Sequence, residues 1–266
     1  MKQLLVFELA GLKVAVKPLL EGLDAFAGAY AHPAAPGEAD DCDLLVPITS
    51  QMIAAEREMA TEGAWSDAYL QELALYRAIA EEAPKHGVFL MHAAVLAYGG
   101  RAYAFTAPSG TGKSSHLRLW KAAFGNAVQV VNGDKPLLRV GTAAAAGGLP
   151  ITAYGTPWCG KEGWQTNTHA PLCGICFLER GDKDSCERIQ ASDALAAAMR
   201  QVYMPRSPES AVLTLGFLDA LLNSVPLYRL RCTMGQSAVR ASFEVMTGLS
   251  FDACLGEGDC DACDSR

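Results

Sequence analysis

The chain has 266 residues, 50% of them apolar and 19% charged, which describes a globular protein of one large domain or one plus a small appendage and excludes a disordered or fibrous chain. Lys plus Arg number 22 against 29 Asp plus Glu, and the net charge of −7 removes the driving force for wrapping a nucleic acid duplex or lying on an anionic membrane. No apolar run approaches the ~20 residues of a membrane span, and Glu8 breaks the short run near the start, so a cytoplasmic address is expected.

The first residues alternate, Leu5, Phe7 and Leu9 against Val6, Glu8 and Ala10, then turn at Gly11 into LKVAV, which predicts an opening hairpin. His32 to Asp41 reads as a loop, and LLVPI as a strand that Pro47 assigns to a sheet edge. Residues Trp65 to Pro84 carry Leu70, Leu73, Tyr76, Ile79 and Ala80 at helical spacing, with Ser66 and Asp67 as caps and Pro84 as a stop. Residues 1–64 are therefore expected as a small β-rich segment before a main domain over 65–250.

In that domain Val95 to Tyr98 and Arg101 to Phe105 are strand-like runs joined by Gly99 and Gly100, an antiparallel pair with a tight turn. A Gly-rich loop follows, then a helix from Lys113 to Phe124 that Gly125 ends. Strands are expected at 127–131, 136–140, 151–154, 172–178 and LYRLR. Helices are expected over 192–203, 208–223 and 237–246, with GTAAAAGG as a turn-rich spacer. Nine cysteines, an odd number in a chain too long to need stapling, fit reduced thiols. Cys173 and Cys176 form a C-x-x-C inside an apolar strand, where core packing outweighs a metal site. Residues 251–266, with Cys254, Cys260 and Cys263 among acids, are expected to be a frayed acidic tail.

Ala107-Pro-Ser-Gly-Thr-Gly-Lys-Ser114 matches the phosphate-loop pattern G-x-x-x-x-G-K-[ST] everywhere but at Ala107. Its core arises by chance in roughly one in a thousand chains of this length. Glycines let backbone N–H groups point inward around an anion and the following helix presents its positive end. Lys113 then has β- and γ-phosphate within reach, and Ser114 has Mg²⁺. The competing reading is a solvated turn whose lysine is incidental. Asp134 follows the apolar run VQVVNG, so its carboxylate should emerge beside the loop if the two strands are neighbours; N-G-D is also a common turn composition. His92 is either a packed strand residue or part of the site, and His116 reads as structural. In YGTPWCGKEGWQTN, Lys161 and Glu162 sit in a Gly- and Trp-rich loop that is either a rigid turn or a phosphate and metal contact.

With His92, the GG hairpin, PSGTGKSS and GDKP laid out, the stretch from about Val88 to Met246 resembles the kinase domain of HPr kinase/phosphorylase, which shares its P-loop fold with phosphoenolpyruvate carboxykinase. It looks most like the stand-alone kinase-related members. The resemblance implies an α/β mixed-sheet P-loop fold, ATP and Mg²⁺ as cofactors, and phosphorylation of a hydroxyl, serine above all, on a protein, peptide or small metabolite. It implies that Ser109, Gly110, Thr111, Gly112, Lys113, Ser114 and Ser115 hold the nucleotide. Ser114, Asp134 and Glu162 would hold the metal, and Asp134, His92 and Lys113 would carry catalysis. Three departures stand out: Gly133 replaces the first of two aspartates, the YGTPW loop is not the signature loop of the bifunctional enzymes, and residues 1–64 do not resemble their regulatory domain. Neither HPr as substrate nor phosphorylase activity is thereby implied. A carboxykinase-like enzyme and a non-catalytic ATP-sensing module are the alternatives. Oligomeric state is left open, a homo-oligomer included.

Overall fold

The structure is a computed structural model and describes residues 3–60, 63–141, 150–233 and 235–255. Strands β1 (Leu5–Leu9) and β2 (Leu12–Lys17) form the expected hairpin, with Ala10 and Gly11 both at positive φ in the turn. Helix α1 (Leu23–Ala27), strand β3 (Ala31–Pro33) and strand β4 (Leu44–Pro47) complete a sheet of order β3-β1-β2-β4. Pro47 ends its edge strand, where a missing N–H costs no ladder bond. Helices α2 (Ser50–Met59) and α3 (Asp67–Glu82) follow, the latter capped by Ser66, whose side chain accepts from the Tyr69 N–H.

A nine-stranded mixed sheet comes next, built from β5 (Val88–Leu90), β6 (Ala94–Tyr98), β7 (Arg101–Thr106), β8 (Val128–Asn132), β9 (Leu137–Val140), β10 (Ile151–Tyr154), β11 (His169–Arg180), β12 (Ser185–Ile189) and β13 (Leu227–Cys232). Its order is β5-β9-β10-β11-β7-β6-β8, with β13 pairing with β11 and β12 with β13. The helices are α4 (Lys113–Phe124), α5 (Ala191–Met199), α6 (Pro208–Ser224), α7 (Gln236–Thr247) and α8 (Phe251–Cys254).

Period-two alternation divides the central strands between two cores. Val95, Ala97, Ala102, Ala104, Ile175 and Phe177 pack toward α5 and α6. Ala94, Leu96, Tyr103, Phe105, Cys176 and Leu178 pack toward α4 and α7 around Trp120 and Phe243. Burial on both faces explains why these strands read as unbroken apolar runs. Cys176 is fully buried among them, Cys173 is packed against the same core, and all seven described cysteines are free thiols. Cys260 and Cys263 lie outside the described residues.

Several expectations need correction. Beside its four strands the segment 1–64 holds a helix that was not expected: α2 occupies 50–59, and only Ile53 and Glu56 of that helix are buried, so no apolar stripe marks it. The core under the four-stranded sheet does not stop at residue 64 but continues through Leu70, Leu75 and Ile79 of α3 to Leu90, Leu137 and Trp158. The stretch 32–41 holds the end of β3 and a short 3-10 turn at Glu38–Asp41. Strand β12 was not expected. The tail expected from 251 begins as helix α8, with Phe251 buried against Phe124 and Phe243; residues 256–266 lie outside the described residues, as do 142–149 of the spacer.

Candidate functional site

Strand β6 runs antiparallel to both β7 and β8, so the start of β6 and the ends of its two neighbours meet at one end of the sheet. His92 precedes β6, the Ala107–Gly112 loop follows β7, and Asp134 follows β8. The strands of the loop and the acid are not direct neighbours, the condition under which the acid was to emerge beside the loop; β6 lies between them, and the acid reaches the loop all the same, with His92 in the same place. The three segments are stitched together by Thr106, whose hydroxyl donates to the His92 carbonyl at 2.8 Å, and by the Ala93 N–H, which donates to the Asp134 carbonyl at 3.0 Å. A cavity of about 440 Å³ opens there, and every site residue expected from the sequence lines it except Thr111.

The loop reaches α4 through Gly110 and Gly112, at φ 76° and 119°, values that side chains other than glycine's adopt only under strain. No side chain caps α4, so the N–H groups of its first turn and the positive end of the helix are left without a side-chain partner. Lys113 is folded back on the loop, its Nζ donating to the carbonyls of Ala107 at 2.9 Å and Pro108 at 3.4 Å. Burial lowers its pKa, with the Asp134 charge pulling the other way. Arg180 braces the loop from the end of β11, donating to the Gly110 carbonyl at 2.8 Å.

Asn132 accounts for the aim of Asp134. Its Oδ1 accepts from the N–H groups of Asp134 (2.9 Å) and Lys135 (2.7 Å), and its Nδ2 donates to the carbonyl and hydroxyl of Thr156. The N-G-D turn and the carboxylate that lines the cavity are thus one feature, because the Asx turn points the acid into it. The carboxylate meets His92 Nε2 at 3.1 Å and Lys135 Nζ at 3.0 Å. Burial pushes the Asp134 pKa up, but the hydrogen bond from His92 and the charge of Lys135 outweigh it and hold the value at about 2. His92 is oriented from behind by Gln201, whose Oε1 lies 2.9 Å from Nδ1 and whose carbonyl accepts the His92 N–H at 2.7 Å.

The loop after β10 closes one wall. Its Trp164 carbonyl accepts from the Gly133 N–H, and Thr166 binds the Val131 carbonyl. Lys161 and Glu162 reach the cavity, and a Cβ on Gly160 would sit 3.2 Å from Asp134 Cβ and 3.7 Å from Glu162 Oε2, so the two acids flank that glycine. A Cβ on Gly133 would sit 2.7 Å from the Cys159 carbonyl. This wall therefore fills the space where the resemblance had led one to look for another aspartate.

Sequence reading missed Gln201, Arg180, Thr156 and the role of Lys135. Lys135 stood in the GDKP motif, whereas Gln201, between a helix and a loop, carries no local signal. His116, expected to be structural, is buried in α4, where its Nε2 accepts from the Trp120 indole and lies 3.0 Å from Ser242 Oγ. Burial lowers its pKa to about 4.

No family model matches this chain, and no curated protein does. Among solved structures, the HPr(Ser) kinase/phosphatase from Coxiella burnetii is similar at 13% sequence identity, covering 62% of this chain and 94% of that chain with a TM-score of 0.29. No helix among the described residues is long and apolar enough to cross a membrane.

Proposed function

We propose that this chain is a phosphotransferase that binds ATP with Mg²⁺ at the start of α4 and passes the γ-phosphoryl group to a hydroxyl, serine above all, of a protein, peptide or small metabolite. The observation that carries this reading is the meeting, across one cavity, of an uncapped helix start bearing Lys113 with the Asp134–His92 pair. Backbone N–H groups from Gly110 to Ser115 and the positive end of α4 suit a polyphosphate. Lys113 would exchange two loop carbonyls for phosphate oxygens.

Phosphoryl transfer has a loose transition state and asks mainly for alignment and charge neutralisation. Asp134, ionised and fixed by Asn132, His92 and Lys135, would accept the hydrogen bond of the incoming hydroxyl, align it and receive its proton as the new P–O bond forms. Gln201 would keep the imidazole of His92 turned toward that carboxylate. Ser114, Asp134 and Glu162 offer the hard oxygen donors that suit Mg²⁺, which supplies charge neutralisation when bound. Among the described residues no group of three or more His, Cys, Asp or Glu side chains forms a metal cage. A cation carried by phosphate oxygens and water needs none.

No arginine lines the cavity among the described residues, so nothing favours an oxo-acid carboxykinase, which would need basic partners for a dicarboxylate. The test is transfer from γ-labelled ATP to serine-containing acceptors, including a lysate of the source organism. Lys113→Met is expected to abolish labelling while leaving the circular dichroism spectrum unchanged. Persistent labelling by Lys113→Met would overturn the assignment of the loop, and ATP binding without transfer to any acceptor would favour the sensing module.

A further inference from the structure

Strand β8 is the last strand of the large sheet, and the wall loop covers only its far end. There Trp164 and Thr166 bind Gly133 and Val131, Gln165 bridges to Asn132, and the Thr166 hydroxyl donates to the Val130 carbonyl. Over Val128–Val130 no strand pairs with the outer edge among the described residues, and a groove of about 460 Å³ lies along it. Its other wall includes Lys121 of α4, one turn beyond Arg118, whose guanidinium stacks 5.5 Å above the Trp164 ring. Neither cation has a carboxylate within ion-pair distance among the described residues, in a chain whose net charge is −7. The wall loop is shared: Gly160, Lys161 and Glu162 face the catalytic cavity, and Gly163 to Thr166 face the groove.

The geometry points to this groove as the docking site for an extended acidic peptide, which adds a strand to β8 and carries the acceptor hydroxyl over the wall loop to Asp134. An exposed edge that already binds one extended segment is a template for another, and main-chain bonds supply affinity without demanding a particular side chain. Lys121 on the groove wall, with Arg118 one turn away over the Trp164 ring, selects for acid along the strand and against basic competitors. At ~3.3 Å per residue, the five steps from Gln129 to Asp134 place the hydroxyl about five residues from the docked segment. This inference names the substrate class of the proposed reaction and rests on that reading.

The probe is a fluorescent peptide of about twelve residues with Asp or Glu at alternate positions and one Ser, long enough to cover the edge and reach the cavity. Two controls accompany it, one with Lys replacing the acids and one N-methylated at alternate backbone positions. Polarisation on the full chain is expected to show saturable binding of the acidic peptide. Binding should weaken about tenfold on Lys121→Glu, on backbone methylation and on replacing the acids, the scale of a lost charge pair plus main-chain bonds. ATP binding to Lys121→Glu should equal that of the unmodified chain. Equal binding of acidic and basic peptides, indifference to methylation, or a dimer that sedimentation shows to be joined through this edge would each overturn the proposal. Should Lys121→Glu fail to fold, the methylated and basic peptides carry the same test on the unmodified chain. Nucleotide binding with no acidic-peptide binding refutes the groove and leaves the phosphotransferase; peptide binding with no nucleotide binding refutes the phosphotransferase and leaves the groove.

Discussion

His92 and His116 lie on either side of the same loop in sequence and are given opposite surroundings. His92 faces a carboxylate at the cavity, while His116 is held neutral by burial inside the core, where its Nε2 accepts from the Trp120 indole. A histidine with a folded pKa of about 4, against 6.5 in the open chain, binds its proton in the unfolded state first. Its stabilising contribution is complete above 6.5 and is lost as pH falls from there toward 4, by up to ~3 kcal/mol. Among the depressed carboxylates, Asp134, Asp184 and Asp252 start from 3.8 and titrate below this window, while Glu38 starts from 4.5, inside its lower end, and is common to both chains compared. Urea midpoints measured across it should fall less steeply for His116→Gln than for the unmodified chain; parallel slopes would contradict this role. At this scale the sequence was legible where chemistry is local: Lys113 and Asp134 announce themselves through the loop and N-G-D motifs. Gln201 does not, because it reaches His92 from 109 positions away.

The elements that make the site are a strand order and a loop. Antiparallel pairing of β6 with β7 followed from Gly99 and Gly100, both at positive φ in the connecting turn. That β8 pairs with the far side of β6 did not, since both edges of a doubly covered strand look alike in sequence. An extra residue in β8 between Val130 and Asn132, relative to β6, shifts the register just before Asn132 and Asp134. The wall loop then packs so closely that Gly133 admits no side chain. Installing the acid that the resemblance calls for, Gly133→Asp, should therefore not improve transfer. It should lower stability by about 1–3 kcal/mol, as forced overpacking does, readable as a reduced thermal midpoint with diminished activity. A stable Gly133→Asp chain with raised activity would contradict the packing account.

At the scale of the whole molecule, the four-stranded sheet, α3, the β5 and β9 strands and Trp158 share one apolar core, so the boundary expected near residue 64 marks a change of element and not a boundary in packing. Trp158, whose indole donates to the Glu72 carbonyl of α3 at 2.9 Å, joins the wall loop of the cavity to that core. Most strands and the β6–β7 hairpin were readable from apolar runs and tight turns, whereas the mixed sheet was implied only by the resemblance. Helix α2 was not readable, because it is held by the ion pair of buried Glu56 with half-buried Arg77 and by little apolar surface. All of this converges on the helix start at Lys113, and isothermal titration of the full chain with ATP, with and without Mg²⁺, tests it most directly. Saturable one-site binding that Mg²⁺ strengthens and Lys113→Met removes, with the fold intact, is the predicted result. No binding, or equal binding by Lys113→Met, would contradict the account.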